Sequence, residues 1–213
     1  MRGLVALGDS ITLGEGGSVL GVTALSWAQW LARALDLPYT CYARNGALTA
    51  EVLRDQLPRV RRGHDLACLY AGVNDVRAPG FRAEAYEHDL LAVTDALHER
   101  SERVLLCTLP LDLGRPPAAP KPAQANAAIE RVAASTGAAV CRLDDLRGWV
   151  ALWPDAVHPT AVGQLEMADR AARALGSPAR PSELAGAPRP RRHHLPVYVR
   201  AVVRERLMRC TGR

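Results

Sequence analysis

Five short runs of largely apolar residues punctuate the chain, at about 3–7, 38–43, 65–71, 103–109 and 138–143, each 5–7 residues long; four are rich in Leu, Val, Ala and Cys, and the second carries Tyr39, Thr40, Cys41 and Tyr42. Runs of that length and composition suit strands buried on both faces of a parallel sheet. Between them the period changes. Over 24–36, Trp27, Trp30, Leu31, Ala34 and Leu35 fall on one stripe of a helix. The same spacing of three and four predicts helices over 82–100, with Leu90, Leu91, Ala92, Ala96 and Leu97 inward, over 123–135, and over 159–175, with Ala161, Leu165, Ala168, Ala172 and Leu175 inward. A helix over 49–61 is expected to break or kink near Pro58. Residues 110–122 carry five prolines in thirteen positions and read as a loop.

Strand and helix alternate throughout, which implies a parallel sheet with helices on both faces. The expectation is a three-layer α/β/α, flavodoxin-like domain with five parallel strands over residues 1–176. A second segment, 177–213, opens on the linker-like Ser177-Pro178-Ala179-Arg180-Pro181 and the extended, basic Pro188-Arg189-Pro190-Arg191-Arg192. It then turns helical over 196–209, where Val199, Val202, Val203 and Leu207 are expected to face one way and to dock this arm on protein, either its own domain or a second subunit. Neither internal repeats nor a stretch near the ~20 apolar residues that span a bilayer occur.

Charge sharpens this division. The net charge is +5, but the arm holds nine Arg against Glu183 and Glu205, or +7, leaving −2 on the first 176 residues. Any partner of polyanionic character, nucleic acid or a membrane surface, would have to engage the arm. Tyr198 is its sole aromatic ring for stacking a base, which argues against single-strand binding. The chain starts Met-Arg-Gly and enters the first apolar run at once, with no basic region or cleavage site, so a cytoplasmic location is expected. Of five cysteines, Cys41, Cys68, Cys107 and Cys141 lie in predicted strands and read as small buried hydrophobes, while Cys210 in the arm reads as exposed.

The ends of the first three apolar runs carry the polar residues of interest. Gly8-Asp9-Ser10 follows the first, Arg44-Asn45-Gly46-Ala47 the second, and Gly72-Val73-Asn74-Asp75 the third. In an open parallel sheet the carboxyl ends of the strands share one edge, so these three segments converge. Far downstream, Trp153-Pro154-Asp155-Ala156-Val157-His158-Pro159 supplies a His that precedes a proline at a helix entrance, and an Asp able to fold back on its imidazole. A Ser, a His and an Asp so placed can perform acyl transfer: Ser10 as nucleophile, His158 as its base, Asp155 to orient His158. Each has a plainer role as well. Ser10 could cap a helix, Asp155 a turn, Gly46 could serve a turn, and Asn74 could form an Asx-turn. The remaining histidines, 64, 88, 98, 193 and 194, read as solvated.

These four segments resemble, in order, the signature blocks of the SGNH (GDSL-type) hydrolase family, over roughly residues 3–176. The resemblance implies a serine hydrolase that cleaves a carboxylic ester through an acyl-Ser10 intermediate. It implies an oxyanion hole made by the backbone N–H of Ser10, the backbone N–H of Gly46 and the side-chain amide of Asn74, with Asp9 and Asp75 supporting loops. No cofactor is expected and no metal, since no ligand-spaced cluster of Asp, Glu or His occurs. The expected partner is a small-molecule ester, a small acylated metabolite or lipid-like ester, its acyl pocket shaped by loops 11–23, 76–81 and 110–122. The competing readings are an acyltransferase using the same site, a non-catalytic binding module, and a polyanion-binding protein acting through the arm. A homo-oligomer joined through the arm is a further expectation.

Overall fold

The structure, a computed structural model, describes residues 3–14, 17–186 and 190–210, the side chains of residues 191 and 208–210 excepted. The strands are β1 (Leu4–Gly8), β2 (Tyr39–Cys41), β3 (His64–Tyr70), β4 (Ser101–Cys107) and β5 (Ala139–Cys141). All pair in parallel, in the order β2-β1-β3-β4-β5. The helices run α1 (Ser10–Leu13), α2 (Trp27–Ala34), α3 (Thr49–Glu51), α4 (Val73–Arg77), α5 (Ala83–His98), α6 (Lys121–Thr136), α7 (Ala161–Ala174), α8 (Pro181–Leu184) and α9 (Leu195–Cys210). Helix α2 packs against α7, and α5 against α6, so that the sheet is covered on both sides. The expected five-stranded α/β/α architecture is therefore present, with the sheet's Leu4, Val5, Ala67, Cys68, Leu105 and Leu106 at its core.

The strand order reverses between β1 and β3. In open parallel sheets the crevice at such a reversal, beyond the carboxyl ends of the strands, is where functional groups gather. Ser10 follows β1 and Asn74 follows β3, so the two stand on either side of that point.

Several elements depart from expectation for physical reasons. The helix expected over 49–61 is instead a turn of α-helix, a π-helical turn over Val52–Gln56 and a 3-10 turn over Leu57–Arg59 in which Pro58 takes an early position. Leu91, expected inward, is exposed: it lies 100° around α5 from Leu90, which takes the core. Cys68, Cys107 and Cys141 are buried and Cys41 is half-buried, all as free thiols, while the side chain of Cys210 lies outside the described residues.

The arm is helical as expected, yet its apolar stripe does not dock on its own domain. Val199, Val203 and Leu207 are 50%, 52% and 62% exposed. Among the described side chains of α9, the half-buried ones are instead Tyr198, Ala201, Val202 and Glu205, on a different stripe, continuing from the fully buried His194. The expectation of solvated histidines therefore holds for His88 and His193, while His64 and His98 are half-buried, with His98 Nε2 enclosed, and His194 departs furthest from it.

Candidate active site

Strand β1 ends in a backbone conformation that only glycine tolerates: Gly8 has φ +142, and a Cβ there would sit 2.1 Å from the Tyr70 carbonyl oxygen. This lets β1 run close beside β3 and turn sharply into α1. Asp9 caps that helix, its Oδ1 accepting the Ile11 N–H at 3.0 Å. Ser10 is the first helical residue, largely buried, with its Oγ 3.1 Å from His158 Nε2.

His158 is delivered by a hairpin-like loop over 149–160. Leu152 and Pro159 bridge antiparallel, the Trp153 N–H donates to the His158 carbonyl at 2.9 Å, and the Thr160 N–H donates to the Ala151 carbonyl at 2.8 Å. Asp155 shapes the tip and serves the ring at once. Its Oδ1 accepts the N–H groups of Val157 (2.9 Å) and His158 (3.1 Å), and its Oδ2 lies 2.6 Å from His158 Nδ1. Burial opposes ionisation of this carboxyl. The His158 hydrogen bond and the two backbone donors outweigh it and hold Asp155 below the usual carboxylate range. The tip also strains the backbone, with Ala156 at φ +52. Helix α7 can approach the loop because Gly163 lacks a side chain: a Cβ there would lie 2.0 Å from the Ala151 carbonyl oxygen.

The second and third segments close the other side. Arg44 to Ala47 form a turn, with the Ala47 N–H donating to the Arg44 carbonyl at 3.2 Å and Gly46 at φ +71 in its third position, where glycine is favoured. Asn74, in α4, donates from Nδ2 to the Ala47 carbonyl at 3.2 Å and reaches Asp9 Oδ2 at 3.5 Å. Asp75 accepts both the N–H and the hydroxyl of Thr49, at 3.1 Å each. Asn74 is thereby tied to Ala47, the last residue of the turn that holds Gly46, and to Asp9 beside Ser10. Asp9 is almost fully enclosed. Burial pushes its carboxyl up to about 7, against the Ile11 N–H and the nearby His158, which pull it down. Burial raises Asp75 as well, opposed by its bonds to Thr49.

Two buried glutamines escaped the sequence reading. Gln56 grips the Gly8 peptide with both ends of its amide: Oε1 accepts the Gly8 N–H at 2.9 Å and Nε2 donates to the Gly8 carbonyl at 2.8 Å. Gln164 accepts the Trp27 N–H at 2.8 Å and donates to the Ile11 carbonyl at 2.9 Å. The available signal was a polar residue on an apolar stripe, Gln56 between Val52 and Val60, and Gln164 four residues before Ala168. Among the described residues no group of three or more His, Cys, Asp or Glu is placed to hold a metal.

A doubly wound α/β/α sheet with a Ser–His–Asp relay at its switch point is the architecture of a serine-hydrolase class. The GDSL-like lipase/acylhydrolase family matches residues 6–165, and the chain belongs to that family of carboxylic ester hydrolases. None of the curated proteins matches it. Among solved structures, it is similar to a W215I variant of Axe2, an acetyl xylan esterase from Geobacillus stearothermophilus, with 18% identity and a TM-score of 0.65 over 81% of this chain and 94% of that one. It is also similar to LAE5, an alpha/beta hydrolase enzyme from the metagenome of Lake Arreo, Spain, with 19% identity and a TM-score of 0.64 over 81% and 94%.

Proposed function

We propose that this hydrolase cleaves a carboxylic ester through an acyl-Ser10 intermediate. The observation that carries the reading is the continuous relay of Ser10 Oγ, His158 Nε2, His158 Nδ1 and Asp155 Oδ2, with steps of 3.1 and 2.6 Å. Ser10 attacks the ester carbonyl while His158 Nε2 takes its proton. Asp155 holds the other ring nitrogen as the donor and stabilises the imidazolium that forms. The tetrahedral oxyanion is met by the N–H of Ser10, the N–H of Gly46 and the amide of Asn74, which is tethered by its bond to the Ala47 carbonyl and turns its second N–H from the long 3.5 Å contact with Asp9 to the oxyanion. His158 returns its proton to the leaving alcohol, then activates water to release the acid.

The substrate we favour is an ester with a small acyl group on a small metabolite. The likeness to an acetyl xylan esterase supports acetyl as the first group to try. The test is turnover of p-nitrophenyl esters of graded chain length, with product analysis in the presence of acceptor alcohols. A serine-directed phosphonate should label Ser10 alone. Labelling elsewhere overturns the assignment, and acyl transfer outrunning hydrolysis makes the protein an acyltransferase. We extend the reading to assembly: two copies associate through the arm, supported by the exposed Leu195, Val199, Val203 and Leu207, one turn apart along α9.

A further inference from the structure

The segment leading into α9 is exposed on both sides of one residue. His193, Leu195, Pro196 and Val197 all face solvent, whereas His194 is 1% exposed. Its imidazole lies flat on the Trp149 indole, with centroids 5.4 Å apart and planes at 6°, and Nε2 donates to the Trp149 carbonyl at 2.9 Å. It meets Trp153 edge-on at 5.8 Å. Tyr198, one turn further, leans on both Trp149 and His194 at 5.9 Å. His194 Nδ1 is buried without a hydrogen-bond partner among the described residues, so the ring is held there by stacking and one hydrogen bond rather than by full polar satisfaction.

What these aromatic rings brace is the hairpin that carries the relay. Trp149 and Trp153 lie on its outgoing limb, and His158 on its returning limb. The Trp153 N–H holds the His158 carbonyl, and the Trp153 carbonyl accepts the Ala156 N–H, both at 2.9 Å. One residue therefore touches the arm with its side chain and the strained tip with its backbone. Strained turns such as Ala156 at φ +52 persist only where the surroundings over-determine them. Helix α7 supplies support from one side, through Gly163 against Ala151. The arm supplies another, from residues beyond the 6–165 span that the family shares.

We propose that His194 is a positioning residue for the reaction: docked between Trp149 and Trp153, it fixes the loop that sets His158 and Asp155 against Ser10. The catalytic domain is thus completed by a residue of its arm. The inference rests on the relay assigned above. Misplacing a catalytic group by an ångström costs up to about a hundredfold in rate, so a smaller displacement of the loop corresponds to a smaller loss.

The experiment uses the full chain with His194→Ala, His194→Gln and, as a control on the exposed face of α9, Arg204→Ala, assayed on a short-chain p-nitrophenyl ester. Tryptophan fluorescence, to which Trp149 and Trp153 contribute together with Trp27 and Trp30, is read in parallel. His194→Ala should lower kcat by about tenfold while KM stays within about twofold, because positioning acts on the reacting geometry rather than on substrate binding. His194→Gln keeps an N–H for the Trp149 carbonyl and a planar group on the indole, and should recover most of the lost kcat. Arg204→Ala should behave as wild type. The proposal is overturned if His194→Ala alters the fluorescence yet keeps wild-type kcat, or if the Gln and Ala variants lose turnover equally in step with lost folded protein. A wild-type chain that neither turns over esters nor is labelled at Ser10 removes the relay itself, and this inference falls with it.

Discussion

At the scale of single residues, Asp9 sits beside Ser10 fully shielded from water, and its ionisation is coupled to folding. In the unfolded chain it loses its proton near 3.8; in the folded protein it keeps it to about 7. Between those values the native state binds more protons than the unfolded one, so this group's contribution to stability falls as pH rises through that window and levels off above it. At 1.36 kcal/mol per unit the upper bound is about 4 kcal/mol. Asp9→Asn stays neutral and still caps α1. Its melting temperature relative to wild type should therefore climb between about pH 4 and about pH 8; a constant difference across that range would show that Asp9 ionises normally. Asp155 runs the opposite way: its carboxyl is depressed, so its contribution is present above the ordinary carboxylate range and fades as pH falls through its folded value. For the chemistry, Ser10→Ala should cost on the order of 10⁴-fold or more in turnover with the fold intact. Asn74→Ala should lower kcat by roughly 10²–10³-fold at nearly constant KM, as for one lost oxyanion donor. Near-normal kcat in that variant would reduce Asn74 to a tie between Ala47 and Asp9.

At the level of elements, the informative departure is the π-helical turn at Val52–Gln56. Such turns occur often near functional sites, and here the turn carries Gln56 to the end of β1. Strand β2 is only three residues long and its register with β1 ends at Ala6, and although the Arg44 N–H still donates to the Gly8 carbonyl at 3.1 Å, it is Gln56 Oε1 that accepts the Gly8 N–H. Gln56→Leu should destabilise the protein by about 1–3 kcal/mol for the donor it strands and lower kcat through the Ser10 turn. Unchanged melting and turnover would make the clamp incidental. Nothing local predicts that turn, because the bond that selects it spans 48 residues. By contrast, β1, β3, β4, α5 and α6 were legible within two or three residues, since continuous apolar runs and long stripes override their boundaries. The four polar segments were legible as a convergent site because strand ends in a parallel sheet leave little choice of edge. His194 was not: its burial depends on Trp149 and Trp153, some 40 residues away, and neighbouring residues give no hint of it.

Across the whole molecule, charge and apolar surface are distributed unequally, and the inequality bears on assembly. The arm carries +7 and the remainder −2. Along α9, Leu195, Val199, Val203 and Leu207 stand 50–62% exposed at intervals of four residues, one strip on a helix anchored through His194 and Tyr198. Soluble monomers rarely keep a contiguous strip of this kind bare. Two arms laid stripe to stripe would bring like charges together. An arm lying on the mildly acidic body of a second copy buries the stripe and opposes unlike charges, and repeated by a two-fold axis it closes a dimer. The full chain should therefore elute in size-exclusion chromatography at twice its 23.0 kDa mass near 0.1 M salt. It should shift toward the monomer as salt rises to about 1 M, where the screening length drops to about 3 Å. Replacing Val203 and Leu207 by Ser should give monomer at both salts with the Ser10–His158–Asp155 relay still active. A wild-type chain monomeric under every condition, with α9 resistant to protease, would mean that the arm's exposed stripe serves no second copy.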